Sequence, residues 1–410
     1  MTSSRLRGKS LFIIFSLDTV LKSNSNDPTE DDHAEAILPN PNGVWGFFSV
    51  LDGHSGWETS TWLRENLIPA LSGSLADLYS KYRSNEPTLP FSSPDPPPNE
   101  VDDTIKRTFQ RLDDKIVHEA IEKVFSSPSR HAATNLLAPA YSGSCALVAF
   151  YESPTRLLRI ALTGDSRAVL GRRKHSSDGG HVYEVHVLST DQNGYNLSEQ
   201  TRLRSEHPDE DVVKNGRVMG MGMARAFGDA RWKWTPEVQK RLKFEYLGRS
   251  LPPGVKTPPY LTAVPEVTTF KVMTGDFLIL ATDGLWECLT NEEAVGLTGL
   301  WLDRNSQKAN ENPLPPVVPK DLPVVKSGED TTVRYRQWAA TKRFVNLDSN
   351  AATHLARNAL GGADTDLASA LFSLRAPRSR TYMDDITAII IFFGEASVDT
   401  VAGEDNKGDP

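Results

Sequence analysis

Acidic residues near the ends of apolar segments are the residues of this sequence whose type and spacing best suit catalysis. A histidine accompanies the first of them, in the sequence Asp52-Gly-His54. If the apolar segments are strands of one sheet system, their carboxylates converge at one edge. Four aspartates stand within three residues of such segments: Asp52, Asp165, Asp283 and Asp384.

A cluster of four carboxylates needs cations at neutral pH, because two bare carboxylates about 4 Å apart repel by about 4 kcal/mol at an effective dielectric constant of 20. Oxygen ligands with no cysteine and little histidine suit hard ions, so the pattern predicts Mg²⁺ or Mn²⁺ rather than zinc. A single Asp-Gly after a strand is ordinarily only a turn. Its recurrence beside several apolar segments favours the metal site.

The elements that must position these acids are short strands that come in clusters and do not alternate strictly with helices. This order predicts antiparallel sheets with helices packed outside them. Apolar residues recur at three- and four-residue spacing over 105–124, which predicts an amphipathic helix. Two further helices are predicted to begin at capping boxes: Asn196 with Glu199, and Thr290 with Glu293. Strands are predicted over 43–50, 145–151, 157–162, 168–170, 182–188, 277–281 and 386–393.

Composition excludes several classes of protein. The 410 residues include 45 Lys and Arg against 53 Asp and Glu, a net charge of −8, so we expect no nucleic-acid partner. Two cysteines cannot form a disulfide framework, which indicates a reducing compartment. The sequence has no apolar run of 18 residues and therefore predicts no membrane span.

The N-terminus has two readings that the sequence leaves open. Basic residues at 5, 7 and 9 precede the apolar segment 11–15, and no acid appears before Asp18. This pattern is compatible with an organelle-targeting leader in residues 1–15. The alternative is a first strand with a basic flank.

Seven short motifs, in this order, resemble those of the metal-dependent protein phosphatases of type 2C, the PPM family. The resemblance runs from about position 27 to 393 and implies an α+β fold, a four-layer α-β-β-α sandwich of two antiparallel sheets flanked by helices. The motifs are TEDD (29–32), LDGHSG (51–56), SGSCA (142–146), GDSR (164–167), ARAFGD (224–229), ATDGLWE (281–287) and MDDIT (383–387).

The resemblance also implies a serine/threonine phosphatase with two Mg²⁺ or Mn²⁺ ions, in which a water that bridges the metals attacks the phosphoryl group without a phosphoenzyme. Asp52 would bridge both ions and Gly53 would offer its carbonyl, while Asp165 matches an acid linked to a third, weaker ion. His54 would protonate the leaving oxygen, so Asp52 and His54 are the catalytic candidates. The implied metal ligands are Asp52, Gly53, Asp283, Asp384, Glu30, Asp31 and Asp165.

Four further segments resemble those of the mitochondrial pyruvate dehydrogenase phosphatase branch of that family. They are 188–193, 206–208, 225–234 and 258–266. The resemblance therefore implies a phosphoprotein substrate such as the pyruvate dehydrogenase α subunit and a place in the mitochondrial matrix, with a cytoplasmic enzyme as the alternative. Asn26 stands where the generic branch has an arginine that holds the substrate phosphate. Because a neutral amide replaces a charged guanidinium, which can donate two parallel hydrogen bonds, we expect weak binding of small phosphate esters.

The expected organisation is one phosphatase domain over 16–395, with Pro-rich insertions near 87–98 and 302–340 and a polar tail over 396–410. A catalytically inactive phosphatase-like scaffold that binds phosphoproteins is the competing hypothesis from another class. Such a scaffold would be expected to lack at least one metal carboxylate. Glu30, Asp52, Asp283 and Asp384 are all present.

Overall fold

A computed structural model describes residues 15–23, 25–84, 95–126, 129–175, 180–306, 315–325 and 328–394. The predicted tail and all of the predicted leader except Phe15 lie outside these residues, as do positions 87–94 of the first insertion. The strands in the described ranges are β1 (Phe15–Ser23), β2 (Asp32–Asn40), β3 (Gly43–Leu51), β4 (Gly53–His54), β5 (Gly143–Ser144), β6 (Ala146–Glu152), β7 (Leu157–Thr163), β8 (Arg167–His175), β9 (His181–Val187), β10 (Val213–Lys214), β11 (Arg217–Val218), β12 (Phe227–Gly228), β13 (Glu266–Lys271), β14 (Phe277–Ala281) and β15 (Ile386–Phe393).

Helices connect and cover these strands. In the described ranges they are α1 (Glu58–Ser84), α2 (Pro98–Asp114), α3 (Ala120–Ser126), α4 (Arg130–Leu136), α5 (Ala138–Tyr141), α6 (Leu197–Glu206), α7 (Pro236–Tyr246), α8 (Asp283–Trp286), α9 (Asn291–Ser306), α10 (Arg334–Gln337), α11 (Ala351–Ala359) and α12 (Thr365–Ser373). A π-helical turn covers Lys115–Glu119, and 3₁₀ turns cover Ala230–Trp232, Pro319–Asp321 and Ser379–Thr381. None of the described helices combines the length and the apolar character needed to cross a membrane.

Ten strands form two five-stranded sheets, and every neighbouring pair is antiparallel. The first sheet has the order β1-β15-β14-β8-β9, and the second has the order β13-β7-β6-β3-β2. The last strand of the described residues, β15, thus lies between β1 and β14. The predicted antiparallel architecture is confirmed.

Three hydrophobic clusters hold four layers together. Phe48 and Val50 of β3 contribute to one cluster with Leu278 of β14 and Ile389 of β15, so this cluster fills the space between the two sheets. Alternate residues of the same strands point the other way, since successive side chains of a strand face opposite sides. Phe47 accordingly joins the cluster beneath α1 and α2, on the outer face of the second sheet.

The outer face of the first sheet is covered in the same manner. Ile390 of β15 joins a third cluster with Val295 of α9 and Leu355 of α11. All three side chains are fully buried, and burying each contributes about 1.5–3 kcal/mol relative to leaving it exposed. The order of layers is helices, sheet, sheet and helices, and the predicted four-layer sandwich is confirmed.

Most of the helix and capping patterns predicted from the sequence are present in the structure. The amphipathic pattern over 105–124 becomes α2 and α3, with the π-helical turn between them. Thr290 and Glu293 each accept a hydrogen bond from the backbone N–H of the other, as a capping box requires. Asn196 caps α6, but the carboxylate of Glu199 instead pairs with Arg225, which leaves that box half formed.

Candidate metal centre

Strand ends from both sheets bring the predicted acids together. Asp52 follows β3 of the second sheet, whereas Asp283 and Asp384 flank the ends of β14 and β15 in the first sheet. Burial raises the pKa of Asp52 well above its ordinary value, and the negative charges of four further aspartates raise it more. These four aspartates are Asp283, Asp31, Asp165 and Asp384.

Asp52 has the property expected of a ligand without its cation. Its Oδ2 is buried and has no hydrogen-bond partner among the described residues. A buried, unpartnered carboxylate oxygen is costly, so it indicates a missing charged partner. Ligand atoms of Asp52, Asp165 and Cys145 all lie within 4.8 Å of one another. The donor set is therefore rich in carboxylate oxygen and fits a hard divalent ion.

Asp31 and Asp283 are buried in the same group of carboxylates. Burial raises the pKa of Asp31 to about 8, and the charge of Asp385 adds to that effect. The Thr282 hydroxyl donates to Oδ2 of Asp31 at 2.9 Å. Burial also raises the pKa of Asp283 well above its ordinary value, followed by the charges of Asp165 and Asp384.

Glu30 is packed against the segment that follows Asp52. Its Oε1 accepts from the backbone N–H of Gly56 at 2.7 Å. A Cβ at residue 53 would lie only 2.0 Å from the Glu30 carbonyl oxygen, so Gly53 alone allows this approach. Burial raises the pKa of Glu30, although the charge of Arg380 counteracts the increase.

Asp385 has a supporting role that the sequence did not reveal. It accepts from the backbone N–H groups of Ser25, Asn26 and Glu30, and from the Thr29 hydroxyl. Burial tends to raise the pKa of Asp385, but these hydrogen bonds outweigh burial and lower it. The carboxylate thereby fastens residues 25–30 to the start of β15 and holds Glu30 at the centre.

Asn26, the predicted phosphate-binding residue, lies at the same edge. Its Nδ2 donates to Glu30 Oε2 and to Asp385 Oδ2, both at 3.1 Å. The amide group has two hydrogens, and both are engaged with carboxylates. Asn26 therefore positions two acids in this structure.

Cys145 is the residue of the centre that sequence reasoning missed. Its thiol donates to Asp165 Oδ1 at 3.2 Å. Burial raises the pKa of Cys145 well above its ordinary value, and the charges of Asp165 and Asp52 reinforce the effect. The thiol stays neutral beside the acids, so the oxygen atoms remain the charged donors. The position of Cys145 in the motif SGSCA was the available signal.

His54 forms an ion pair with Asp229, with Nε2 and Oδ2 separated by 2.6 Å. A small sheet of β4, β5 and β12 positions the pair, because His54 ends β4 and Asp229 follows β12 on the two sides of Gly143. A Cβ on Gly143 would lie 2.2 Å from His54 Nε2 and 2.4 Å from Asp229 Oδ2. Burial lowers the pKa of His54, but the Asp229 carboxylate more than compensates and raises it overall.

A cavity of about 780 Å³ adjoins the centre. Its lining includes Asp165, Asp283, Trp286 and Glu287, together with Tyr195, whose side chain is exposed. The cavity leaves room for a substrate segment next to the carboxylates.

The metal-free protein is expected to lose stability as pH rises from about 4 to about 8. Asp31 has a pKa of about 8 when folded and an ordinary value of 3.8, so the folded state holds a proton that the unfolded chain releases over this range. Folding is then linked to proton uptake and weakens with rising pH. Thermal unfolding across this range, with and without saturating Mn²⁺, measures the effect.

Added Mn²⁺ is expected to raise Tm by about 5 °C or more near pH 8 and by much less near pH 5, where protons compete for the same oxygens. Asp31→Asn should flatten the metal-free profile. A Tm of the metal-free protein that stays constant or increases from pH 5 to pH 8 would contradict this account.

The profile of the family "Protein phosphatase 2C" matches residues 19–314. The chain therefore belongs to the protein phosphatase 2C family of metal-dependent serine/threonine phosphatases, as its motifs predicted. It is 43% identical to a protein phosphatase 2C homolog of Schizosaccharomyces pombe, over 91% of this chain and 79% of the relative.

Relatives from the predicted branch also match nearly the whole chain. Identity is 37% to the mitochondrial pyruvate dehydrogenase phosphatase 1 of Saccharomyces cerevisiae, over 95% of this chain and 70% of the relative. Sequence identity to the human mitochondrial pyruvate dehydrogenase phosphatase 1 is 30%, over 90% of this chain and 76% of the relative. A crystal structure of a serine-threonine phosphatase 2C from Toxoplasma gondii shares the fold, with a TM-score of 0.50, 18% identity, and coverage of 94% of this chain and 96% of the other.

Proposed function

We propose that this protein is a Mg²⁺- or Mn²⁺-dependent pyruvate dehydrogenase phosphatase of the mitochondrial matrix, acting on the phosphorylated α subunit. The observation that carries the catalytic part is the convergence of buried carboxylates from both sheets, with the unpartnered Oδ2 of Asp52 among them. The named mitochondrial relatives support the substrate and the location. We further propose that residues 16–395 form a single phosphatase domain.

Two ions are proposed at the centre, where Asp52 would be a ligand of both, and Asp165 would hold a third, weaker ion. When bound, the ions supply Lewis-acid chemistry, which makes water nucleophilic at neutral pH and offsets the charge of phosphoryl oxygens. Burial keeps competing water away from the acids, which strengthens their attraction for cations. The residues proposed to hold the ions are Asp52, Gly53 through its carbonyl, Asp283, Asp384, Glu30, Asp31 and Asp165.

His54 is proposed to protonate the serine or threonine oxygen that leaves. Asp229 holds Nε2 and raises the pKa of the ring, so the imidazolium form is more populated near neutral pH than in an unperturbed histidine. Nδ1 is buried without a hydrogen-bond partner among the described residues. It is therefore the nitrogen left to pass a proton to the leaving oxygen, directly or through one water.

Asn26→Arg is expected to lower KM for a small ester such as p-nitrophenyl phosphate by about fivefold to tenfold, since it adds a charged fork at the mouth of the site. The kcat value should fall as well, because the substitution removes the amide donors that position Glu30 and Asp385. Steady-state kinetics of both proteins at saturating Mn²⁺ check the expectation. An unchanged KM would count against it.

The proposed function is tested by phosphate release from a phosphorylated pyruvate dehydrogenase α subunit, with Mg²⁺ or Mn²⁺ and with or without a chelator. Hydrolysis that survives the chelator would refute the metal centre. Hydrolysis of unrelated phosphopeptides but not of this subunit would restrict the assignment to the broader family. Binding of the phosphorylated subunit without hydrolysis would point to the scaffold alternative.

The location is tested by imaging fluorescent fusions with and without residues 1–15. Mitochondrial fluorescence that requires these residues is the expected result, and the leader reading of the N-terminus depends on it. Cytoplasmic fluorescence of both fusions would favour the alternative, a cytoplasmic enzyme.

A further inference from the structure

Arg380 places a guanidinium beside Glu30, one of the acids proposed to hold the metal ions. One of its terminal nitrogens lies 3.4 Å from Glu30 Oε2, and 46% of the arginine side chain is exposed. No other hydrogen bond or ion pair of this side chain is present among the described residues. A guanidinium has five N–H donors, so a single long contact leaves most of them available.

The backbone that carries Arg380 is held firmly. Ser379 is buried, and its hydroxyl donates to the carbonyl of Ser25. The carbonyl of Thr381 accepts from Gln337 Nε2 at 2.8 Å, and the carbonyl of Tyr382 accepts from Trp338 Nε1 at 2.9 Å. The turn is thus fixed on both sides of Arg380, which leaves the side chain to move between Glu30 and an incoming group.

A phosphate monoester dianion that enters beside so many carboxylates needs a positive donor at the entrance. The amide hydrogens of Asn26 are both given to Glu30 and Asp385, so Asn26 offers neither charge nor a free donor. Arg380 and His54 both act on the pKa of Glu30, which places the two cations near the same carboxyl group. Arg380 is the one with an exposed side chain.

We propose that Arg380 binds the phosphoryl group of the substrate, exchanging its long contact with Glu30 for charge-assisted hydrogen bonds to phosphoryl oxygens. The planar fork of a guanidinium matches two phosphate oxygens at once. The proposal rests on the proposed function, since it assigns a phosphate-binding residue to that same site. It makes Arg380 the residue that sets affinity for the phosphate group itself.

The test compares Arg380→Gln and Arg380→Lys with the wild-type protein. Inorganic phosphate is the probe, and its binding to the Mn²⁺-loaded protein is measured by calorimetry, alongside KM and kcat for p-nitrophenyl phosphate. Loss of a charge-assisted contact predicts a rise of about tenfold in the Kd of phosphate and in KM for Arg380→Gln. Arg380→Lys should lie between the two, because it keeps the charge but loses the fork.

Arg378→Gln is the matched control, because Arg378 is an exposed arginine two residues earlier in the same segment and makes no hydrogen bond or ion pair with the acids of the centre among the described residues. It should leave Kd and KM within twofold of wild type, with Tm of all variants unchanged within about 2 °C. Equal losses in both variants, or no loss in Arg380→Gln, would overturn the assignment. A wild-type protein that binds phosphate but does not hydrolyse the ester would instead overturn the proposed function, since calorimetry needs no turnover.

Discussion

Asp283→Asn is expected to lower kcat by at least about a thousandfold while making the metal-free protein more stable near pH 8. The activity falls because a neutral amide replaces a carboxylate at the point where β14 delivers it to the centre. Stability rises because burial and the neighbouring charges of Asp165 and Asp384 raise the pKa of this carboxyl, so its charge opposes folding. Phosphopeptide hydrolysis and metal-free thermal unfolding measure the two effects separately.

Asp276→Asn is the control for this experiment. Asp276 is a buried acid directly before the other end of the same strand, where it pairs with Arg172 at 2.7 Å. Its replacement should lower Tm and leave kcat nearly unchanged, the reverse of the expected result at Asp283. If Asp283→Asn retained most of its activity, or lost metal-free stability, the proposed role of the strand-end acids would be wrong.

Asp229→Asn is expected to lower kcat for a phosphoserine peptide by about a hundredfold and to move the alkaline limb of its pH profile to lower pH. The wild-type carboxylate raises the pKa of His54 against the opposing effect of burial. A general acid works while it is protonated, so activity falls as pH rises through that pKa. Without the carboxylate the fall begins at lower pH. Profiles of kcat for both proteins measure the displacement.

The leaving group provides the control. The phenolate of p-nitrophenyl phosphate leaves without a proton, so Asp229→Asn should lose far less activity on this ester than on the peptide. Adding His54→Gln to Asp229→Asn should cost little more, because the two residues act as a unit through one hydrogen bond. A variant profile with the wild-type midpoint would argue that Asp229 only supports the fold.

The strand-end acids were readable from sequence because two local patterns coincide there. An apolar run predicts a buried strand, and an acid directly beyond it must lie at a sheet edge. Asp52, Asp283 and Asp384 all follow this rule. The order of strand clusters predicted antiparallel sheets with helices outside them, and the four-layer sandwich came from the family resemblance. The boundaries of the seven predicted strands were accurate to one residue except in β8, which continues from Leu170 to His175. Three further strands of the two sheets, β1, β2 and β13, were not predicted.

Contacts across long stretches of chain were not readable in the same way. His54 meets Asp229 over a separation of 175 residues, through the small sheet that holds Gly143 between them. The Arg380 contact with Glu30 likewise depends on β15 lying beside β1. Neither pairing leaves a periodic trace in the sequence, because each arises from how separate elements pack. Only the packed structure brings these charges together.

The place of β15 in its sheet bears on how the enzyme is made. This strand pairs with β1 on one side and β14 on the other. The two residues just before it are Asp384 and Asp385, and Asp385 accepts hydrogen bonds from the backbone of residues 25–30. A ribosome delivers β15 after every other strand of both sheets, so a nascent chain holds an incomplete centre until synthesis has passed residue 393. A chain that ends before residue 384 therefore lacks an acid of the centre, and β14 keeps an unpaired edge until β15 joins the sheet.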